Sequence, residues 1–414
     1  MRVTTAFNHL LRLQGANVRE VTFEEQTLEV RVALRRRRLV CPYCTHSTAA
    51  RYDTRDVDSA WRHLDLGAWR LLVKARLRRL RCPSHGVVTE GVPFAEAGSG
   101  FTRDFEDLVA WCAARMDKTA CSRLLRIAWR TVGAICTRVV ASRIDPARLE
   151  GLFDIGIDEI SWRRRHNYVT LVTDHRSGKV VWGGEGKGKR TTERFFAELG
   201  AQGAAGLRAV SMDMAEGYAA AVRERAPQAE VCFDPFHVVA MGTRAVDEVR
   251  REAWRLLRHV DPRLARAFRY WRWVLVKNPE NLTPRQAGLL EAIRRDGGGL
   301  WRAYELKEAL RGLFAGDLSA EEAKELLASW CERAQGSGMR AFAKLASTVH
   351  AHAEGILAGL RLGLTNARAE AINTKVRLIT RRAYGFHSAA AAIALVMLAC
   401  GPVTLRLPYE RLGK

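Results

Sequence analysis

The feature that most constrains the fold is an ordered series of strand-like and helix-like segments between residues 152 and 239. Segments with a two-residue alternation predict strands, and segments with helical periodicity predict helices. The predicted strands are LFDIGIDEI (152–160), YVTLVTD (168–174), KVVW (179–182), LRAVSMD (207–213) and AEVCFD (229–234). TTERFFAELG (191–200) predicts a helix with Thr191 or Thr192 as its N-cap and Gly200 as its stop, and 216–227 predicts a second helix. The order is therefore three meandering strands, helix, strand, helix, strand and helix.

Two acidic residues of this series are candidates for a common site. Asp158 lies on the first strand and Asp213 ends the fourth. The order of elements looks like that of a ribonuclease H-like sheet. Because nearby carboxylates repel each other unless a cation lies between them, acids here indicate a metal site in a chain whose formal net charge is +22.

A third acid, Glu370, lies on a predicted helix that begins near residue 366. The apolar side of this helix comprises Ala369, Ile372, Val376 and Ile379, and a second stripe comprises Glu370, Asn373, Arg377 and Arg381. No basic residue stands one helical turn from Glu370, so a local ion pair does not explain it, although a solvated surface acid remains an alternative. With Asp158 and Asp213, it would hold two Mg²⁺ or Mn²⁺ ions about 4 Å apart, one activating water or a 3′-hydroxyl and one stabilising the leaving oxygen.

Two short motifs near the N-terminus predict a structural zinc site. Cys41 and Cys44 form a CxxC knuckle, and Cys82 and His85 form a CxxH knuckle after 37 intervening residues. Two such knuckles can supply the four ligands of one tetrahedral Zn²⁺ ion. His46 is a rival ligand. Between the knuckles, WRLLVKARLRRLRC (69–82) alternates apolar and basic residues, which predicts one strand with a cationic face.

Residues 102–142 change to helical periodicity and resemble a helix-turn-helix. Thr102 can cap a helix that runs to about Arg115, and 118–142 predicts two short helices joined near 126–129. Trp129, Arg130 and Thr131 open the second of these, the helix that would enter the major groove. A plain helical pair has the same pattern, but a sequence pI near 10.2 favours a polyanionic partner, with nucleic acid foremost.

The distance from Asp213 to Glu370, 157 positions, predicts an insertion. Residues 240–340 are expected to be mainly helical, with 329–339 as the return linker. Trp271 and Trp273 lie among arginines, where they would either stack on bases or form part of a core.

Several other classes of protein are disfavoured. GGEGKGKR contains GxxxxGK, but Arg190 stands where a nucleotide-binding loop needs Ser or Thr. Residues 389–400 are apolar but shorter than the roughly 20 residues of a membrane span, so they predict a buried core helix. Without a recognisable signal peptide, the nine cysteines are expected to be reduced or metal-bound, as in a cytoplasmic protein with no membrane contact.

Taken together, the motifs resemble those of bacterial insertion-sequence transposases of the ISL-three family. The matching stretches are CPYC, IDEI, YVTLVTD, VSMDMAEGY, FDPFHVV, WRAYELKEALR and TNARAEAINTKVRLITRRAYGF. The resemblance implies a DDE catalytic triad of Asp158, Asp213 and Glu370. It also implies that Asp234 and His237 match a DxxH motif beside the active site, which makes His237 a further candidate catalytic residue; a strand-end turn with a capping acid is the alternative interpretation. The resemblance likewise implies a bacterial, nucleoid-associated protein. Family members commonly carry a cysteine pair at the second knuckle, so Cys82 and His85 leave the fourth zinc ligand open.

The resulting hypothesis is an α+β multidomain DNA transposase. It would have a zinc-binding module (1–95), a helix-turn-helix (96–148), a ribonuclease H-like core (149–239), a helical insertion (240–340) and the rest of the core with the Glu-bearing helix (341–414). It would bind terminal inverted repeats and target DNA as a homodimer or larger synaptic oligomer, with phosphates contacted by Lys375, Arg377, Arg381 and Arg382. The alternatives are a domesticated DNA-binding regulator without chemistry, and a nuclease acting on RNA or junctions.

Overall fold

The chain folds into two compact units in the computed structural model. The described residues are 1–163, 167–214, 216–296, 298–316, 318–364, 367–383 and 386–411, without the side chains of Ala267, 367–371, Asn373, Pro408 and Arg411. The first unit contains Met1–Asp145 and the segment from Val403 onward, and the second contains Pro146–Pro402.

The first unit begins with a small β-rich module. Its elements are α1 (Val3–Leu11), β1 (Ala16–Phe23), β2 (Thr27–Leu34), β3 (Leu39–Val40), β4 (Ser47–Thr48), β5 (Asp53–Thr54), β6 (Ser59–Arg62), β7 (Arg70–Ala75), β8 (Arg78–Cys82) and β9 (Gly86–Thr89). They form a four-stranded sheet in the order β1-β2-β7-β6, a three-stranded sheet β5-β8-β9 and the pair β3-β4. Leu71, Val73 and Ala75 alternate with more exposed residues along β7, so that one face of the large sheet is buried.

The prediction of a single strand over 69–82 is wrong. The segment forms β7 and β8, which belong to different sheets. Apolar and basic residues alternate on both sides of the break, but the pairing partners change from β2 and β6 to β5 and β9. Periodicity records which face is buried and contains no information about a change of partner.

Three helices complete the first unit. They are α2 (Arg103–Arg115), α3 (Lys118–Leu125) and α4 (Trp129–Arg143). Thr102 caps α2 by accepting the Phe105 N–H, as predicted. Arg126 ends α3 in a left-handed conformation, with φ at 53°, and its guanidinium binds Asp65, which fixes the turn between α3 and α4.

The second unit is built on a five-stranded mixed sheet. Its strands are β10 (Asp154–Arg163), β11 (Asn167–Asp174), β12 (Lys179–Glu185), β13 (Ala209–Met212) and β14 (Glu230–Phe233), interleaved with α5 (Lys189–Ala205) and α6 (Glu216–Arg225). The spatial order is β12-β11-β10-β13-β14, with β10, β11 and β12 antiparallel and β13 and β14 parallel to β10. The predicted series of elements is confirmed.

The remaining helices follow β14. They are α7 (Pro235–Val260), α8 (Pro262–Leu275), α9 (Pro284–Asp296), α10 (Gly299–Gly312), α11 (Ala320–Gln335), α12 (Arg340–Ala351), α13 (Ala353–Arg361), α14 (Ala367–Arg382) and α15 (Ala389–Cys400), with 3-10 turns at Pro279–Asn281 and Pro408–Arg411. The described residues between 240 and 340 are therefore mainly helical. Helix α7 runs without interruption through the boundary proposed at residue 240.

Two local predictions differ from the structure. Helix α5 is capped at Gly188, so Thr191 and Thr192 lie in its first turn; Gly200, with φ at 77°, interrupts the helix as expected, and a short helical segment continues to Ala205. The supposed return linker at 329–339 belongs mostly to α11. Trp330, 1% exposed, donates its indole N–H to Leu306 O at 2.8 Å, and only the last few residues form a connection.

Helices pack closely against both edge strands of the sheet, β14 and β12. A Cβ atom at Gly355 of α13 would lie 2.5 Å from the Phe233 ring, so glycine is needed for the approach of α13 to β14. On the opposite edge, α15 packs on β12, and its residues from Ala392 to Leu398 are largely buried, as a core helix requires. Among the described helices, none is both long and apolar enough to cross a membrane.

Candidate active site, metal centre and nucleic-acid interface

Strand register places three acids in one row across the sheet of the second unit. Gly156 of β10 pairs with Ser211 of β13, and Met212 pairs with Phe233 of β14. Continuing these registers puts Asp158 beside Asp213, and Asp213 beside Asp234. Since neighbouring strands lie about 4.8 Å apart, the three carboxylates form a contiguous acid row where β13 and β14 end.

The acid row lines one pocket. Asp158, Asp213, Asp234 and His237 all line this pocket, together with Gly156, Thr173 and Ser211 of the sheet and Ile372 of α14. Its interior of about 20 Å³ has room for at least one water molecule or small ion. Carboxylate oxygens are the ligands that Mg²⁺ and Mn²⁺ prefer, so the residues present fit a divalent cation.

Asp234 and His237 form a fixed pair at the start of α7. Asp234 is 3% exposed; one carboxylate oxygen accepts the Phe236 N–H at 2.9 Å, and the other lies 2.7 Å from His237 Nδ1. The hydrogen bond that His237 Nδ1 donates to Asp234 raises the pKa of His237 against the effect of burial, and the charges of Asp158 and Asp213 raise it further. Asp234 is therefore a helix cap and also the partner of a histidine at the pocket.

Glu159, adjacent to Asp158, has a different environment. Successive residues of a strand point to opposite faces, so Glu159 faces away from the acid row. It accepts the Tyr218 hydroxyl at 2.9 Å and lies 3.7 Å from Lys187 Nζ. Lys187 belongs to the glycine-rich loop that resembles a nucleotide-binding loop, and Glu159 anchors that loop. Sequence reasoning missed this role, although strand alternation alone separates the two acids.

Helix α14 reaches the pocket through its apolar side. Ile372, Val376 and Ile379 are buried, as the predicted apolar face requires. Lys375, Arg377 and Arg381 are exposed and Arg382 is half-buried. The side chain of Glu370 lies outside the described residues, so its role in the triad stays a prediction.

Four predicted zinc ligands come together in the first unit. The ligand atoms of Cys41, Cys44, Cys82 and His85 all lie within 4.8 Å of one another. Cys44 Sγ is 3.5 Å from Cys82 Sγ, and His85 Nδ1 is 3.5 Å from Cys82 Sγ and 3.7 Å from Cys41 Sγ. A tetrahedral zinc site with Zn–S bonds of about 2.3 Å has ligand separations of about 3.7 Å, so this cluster fits zinc. His46, the rival ligand, contributes its backbone carbonyl to Cys41 N–H instead.

Trp129, Arg130 and Thr131, the residues that open α4, differ in their contacts and in their exposure. Lys118 Nζ lies 3.5 Å from the centre of the Trp129 ring, so the indole helps to join α3 to α4. Arg130 is exposed at the start of α4 and Thr131 is half-buried. Arg130 is therefore the member of the predicted trio most available to DNA.

A mixed sheet that carries a row of acids, on a basic chain that also contains a helix-turn-helix, indicates the class of enzymes that act on DNA. Comparison with protein families gives the particular class. Residues 155–396 match the DDE transposase model of family ISL3, and residues 90–140 match the helix-turn-helix domain of transposase family ISL3. The chain belongs to the ISL3 family of transposases, enzymes that cleave DNA and transfer its strands.

Curated relatives agree with this assignment. The chain is 44% identical over 361 residues to the transposase for insertion sequence element IS1557 of Mycobacterium tuberculosis, covering 82% of this chain and 80% of the relative. It is 29% identical over 393 residues to the transposase for insertion sequence element IS1001 of Bordetella parapertussis, covering 90% and 92%. The DDE domain implies dependence on a divalent metal, and the helix-turn-helix implies DNA binding.

Proposed function

We propose that this transposase binds the terminal inverted repeats of its own insertion sequence and cleaves and transfers their strands at the acid row. The observation that carries the proposal is the position of Asp158 beside Asp213 in one pocket. The third acid would be Glu370. A pure DNA-binding regulator has no need of adjacent carboxylates, which favours the enzyme over the domesticated alternative.

The sheet supports a ribonuclease H-like core. Numbering its strands one to five along the chain gives the spatial order 3-2-1-4-5, with the first three antiparallel and the last two parallel to the first. In this topology the central strand, β10, and its parallel neighbour, β13, place their acids together. The long helical segment from α7 to α11 separates these strands in sequence from the helix that bears Glu370.

The residues of the pocket have distinct roles in the proposed chemistry. Two divalent cations, when bound, would activate water or a 3′-hydroxyl and stabilise the leaving oxygen. Asp158, Asp213 and Glu370 would hold them. Nδ1 of His237 is hydrogen-bonded to Asp234, so Nε2 is the ring nitrogen that would contact a substrate phosphate. Lys375, Arg377, Arg381 and Arg382 would contact the DNA backbone.

The first unit would recognise the DNA ends. Cys41, Cys44, Cys82 and His85 would bind one structural Zn²⁺, and α4 would enter the major groove with Arg130 toward the bases. Trp129 and Thr131 would contact the DNA beside it. A homodimer or larger synaptic assembly is expected because two transposon ends must be held together.

The decisive experiment compares two substitutions on the same strand. Asp158→Asn removes a carboxylate from the acid row, whereas Asp154→Asn removes one that is paired with Arg208 at the other end of β10. With Mg²⁺ and the DNA that flanks its own gene, Asp158→Asn should lose cleavage by about a thousandfold or more while retaining end binding. Asp154→Asn should cleave at nearly the wild-type rate.

Three outcomes contradict the proposal. Cleavage that survives Asp158→Asn removes the catalytic role of the acid row. End binding without any cleavage by the wild-type protein favours the regulator. Preferential cleavage of RNA or junctions in competition with transposon ends favours the nuclease alternative.

A further inference from the structure

Helices α7 and α8 carry a concentration of exposed apolar side chains in the second unit. Leu256, Val260, Leu264, Tyr270 and Trp273 are between 39% and 83% exposed. All eleven tryptophans of the chain lie within the described residues, and Trp273 is the one with more than half of its surface exposed. Indole rings are normally buried for their large apolar area, so an exposed one indicates a partner.

The exposed aromatic residues of α8 lie on one stripe with two arginines. Arg266, Arg269, Tyr270 and Trp273 follow the spacing i, i+3, i+4 and i+7, which places them along one side of the helix. We call these four residues the α8 stripe. On the other side, Phe268 is buried and Trp271 stacks on it with ring centres 4.2 Å apart. Trp271 is thus a packing residue, and Trp273 is not.

The charge of α8 indicates the chemistry of the partner. The helix contains Arg263, Arg266, Arg269 and Arg272 and no acidic residue. Arg272 lies 3.6 Å from Asp247 and 5.1 Å from the centre of the Trp273 ring. Arg266 and Arg269 form no ion pair with any residue that the structure describes. Two guanidiniums are therefore available to a polyanion.

A second copy of the chain is a poor occupant of this surface. A symmetric contact would bring the arginines of one stripe against those of the other, and like charges repel. Duplex DNA satisfies the charges but conceals the faces of its bases. Single-stranded DNA satisfies both features, because its phosphates pair with arginine and its unpaired bases stack on aromatic rings.

We propose that the α8 stripe binds single-stranded DNA, with Tyr270 and Trp273 stacking on successive bases and Arg266 and Arg269 contacting the flanking phosphates. The inference rests on the proposed function for the source of the ligand, which would be the unpaired strand left where the two strands of a transposon end are cut at different positions. It assigns the helical segment a second nucleic-acid surface, separate from the helix-turn-helix.

The test measures binding of the full-length protein to a fluorescent oligothymidylate and to a duplex of the transposon end. The double variant Tyr270→Ala/Trp273→Ala removes two stacking surfaces and should lose about 30-fold or more in affinity for the single strand. Affinity for the duplex should not change. Trp273→Phe should retain most of the single-strand affinity because it keeps a stacking surface.

Two further variants make the result specific. Phe153→Ala removes an aromatic residue of the same unit that is 50% exposed but lies outside the stripe, and it should bind both DNAs like the wild type. Arg266→Gln/Arg269→Gln should reduce the slope of log affinity against log salt by about 1.4 for the single strand.

The proposal is overturned if the aromatic double variant binds the single strand as tightly as the wild type, or loses the same factor on both DNAs. It is also overturned if light scattering shows that this variant dissociates a dimer while single-strand affinity is unchanged. Asp158→Asn should bind the oligothymidylate normally, so failure of the catalytic proposal and failure of the α8 stripe are separate observations.

Discussion

The Cys/His cluster and the acid row are assembled in different ways. Each zinc knuckle holds two ligands within four residues, and the hairpin β8-β9 and the pair β3-β4 need only bring the two knuckles together. The acid row depends on the register of three strands, and its proposed third metal ligand, Glu370, lies 157 positions beyond Asp213. All ligands of a site that depends on local spacing can be predicted from the sequence. When a site depends on strand register, its individual residues can be predicted but not which of them lie together.

The largest expected effect breaks the locally encoded site. Cys82→Ser should abolish zinc binding and unfold the knuckles, because zinc contributes about 10–16 kcal/mol to the folding of comparable small sites. Elemental analysis should fall from one zinc per chain to none, and hydrogen exchange should rise in β8 and β9. Cys331→Ser, which changes a half-buried thiol in the second unit, should keep the metal. Retained zinc in Cys82→Ser would refute the ligand set.

The next effect decides how the acid row is completed. Glu370→Gln should reduce cleavage by about a thousandfold if α14 supplies the third metal ligand. Asp234→Asn should reduce it less, by about 10- to 100-fold, because asparagine still accepts the Phe236 N–H and loses only the charge that holds His237. Single-turnover cleavage rates give the comparison. A larger loss in Asp234→Asn than in Glu370→Gln would indicate that Asp234, and not Glu370, is the third metal ligand.

A third prediction concerns pH and the stability of the first unit. Burial lowers the pKa of His63 to about 4, and its Nδ1 lies 2.7 Å from the hydroxyl of Thr102, the cap of α2. Between pH 6.5 and 4, His63 binds a proton in the unfolded chain but not in the folded chain. The free energy of unfolding is therefore at its maximum above pH 6.5 and falls by about 3 kcal/mol as the pH decreases to 4.

The matching control is His63→Gln, which cannot titrate. Hydrogen exchange in α2 should show a smaller loss of protection on acidification in this variant than in the wild type, both with zinc bound. Equal losses in the two proteins would exclude His63 as the source.

The smallest effects separate sequence reading from backbone contact. Arg130→Ala should cost about 1–3 kcal/mol on the cognate end and relax its sequence preference. Arg377→Ala should weaken binding equally on all sequences and reduce the salt slope by about 0.9. Titrations against cognate and scrambled duplexes at several salt concentrations distinguish the two. A sequence-dependent loss in Arg377→Ala would contradict its assignment to phosphates.

The same division explains what sequence analysis recovered. Strands β10 to β14 were predictable because each buries one face or lies wholly within the core, and α2 to α4 because Thr102 and the turn at Arg126 mark their ends. The knuckles were predictable from spacing alone. Asp158 was found as an acid on the first strand, and Asp213 and Asp234 were found as acids at strand ends; the DxxH motif joined Asp234 to His237.

Two of the errors arise where nonlocal contacts decide, and one arises from the local backbone conformation of a glycine. The split of 69–82 into β7 and β8 reflects a change of pairing partner that alternation does not record. Gly188 caps α5 in place of the threonines, and it does so with a positive φ that only glycine adopts easily. The glycines after α11 led to a predicted linker that begins at residue 329, several residues before the helix ends. Trp330 belongs to the helix because it is buried and hydrogen-bonded to α10.

The composition of the first unit has a consequence for synthesis on the ribosome. Ile144 bridges to Val403, and Leu407, only 4% exposed, belongs to the same compact unit as residue 1. A nascent polypeptide therefore acquires the last piece of its amino-terminal unit only after the entire intervening unit has been translated. Prematurely terminated products would lack that segment and the stabilisation of about 2 kcal/mol that burial of Leu407 contributes to the first unit. A gene truncated near its 3′ end would therefore yield a protein whose first unit is destabilised as well.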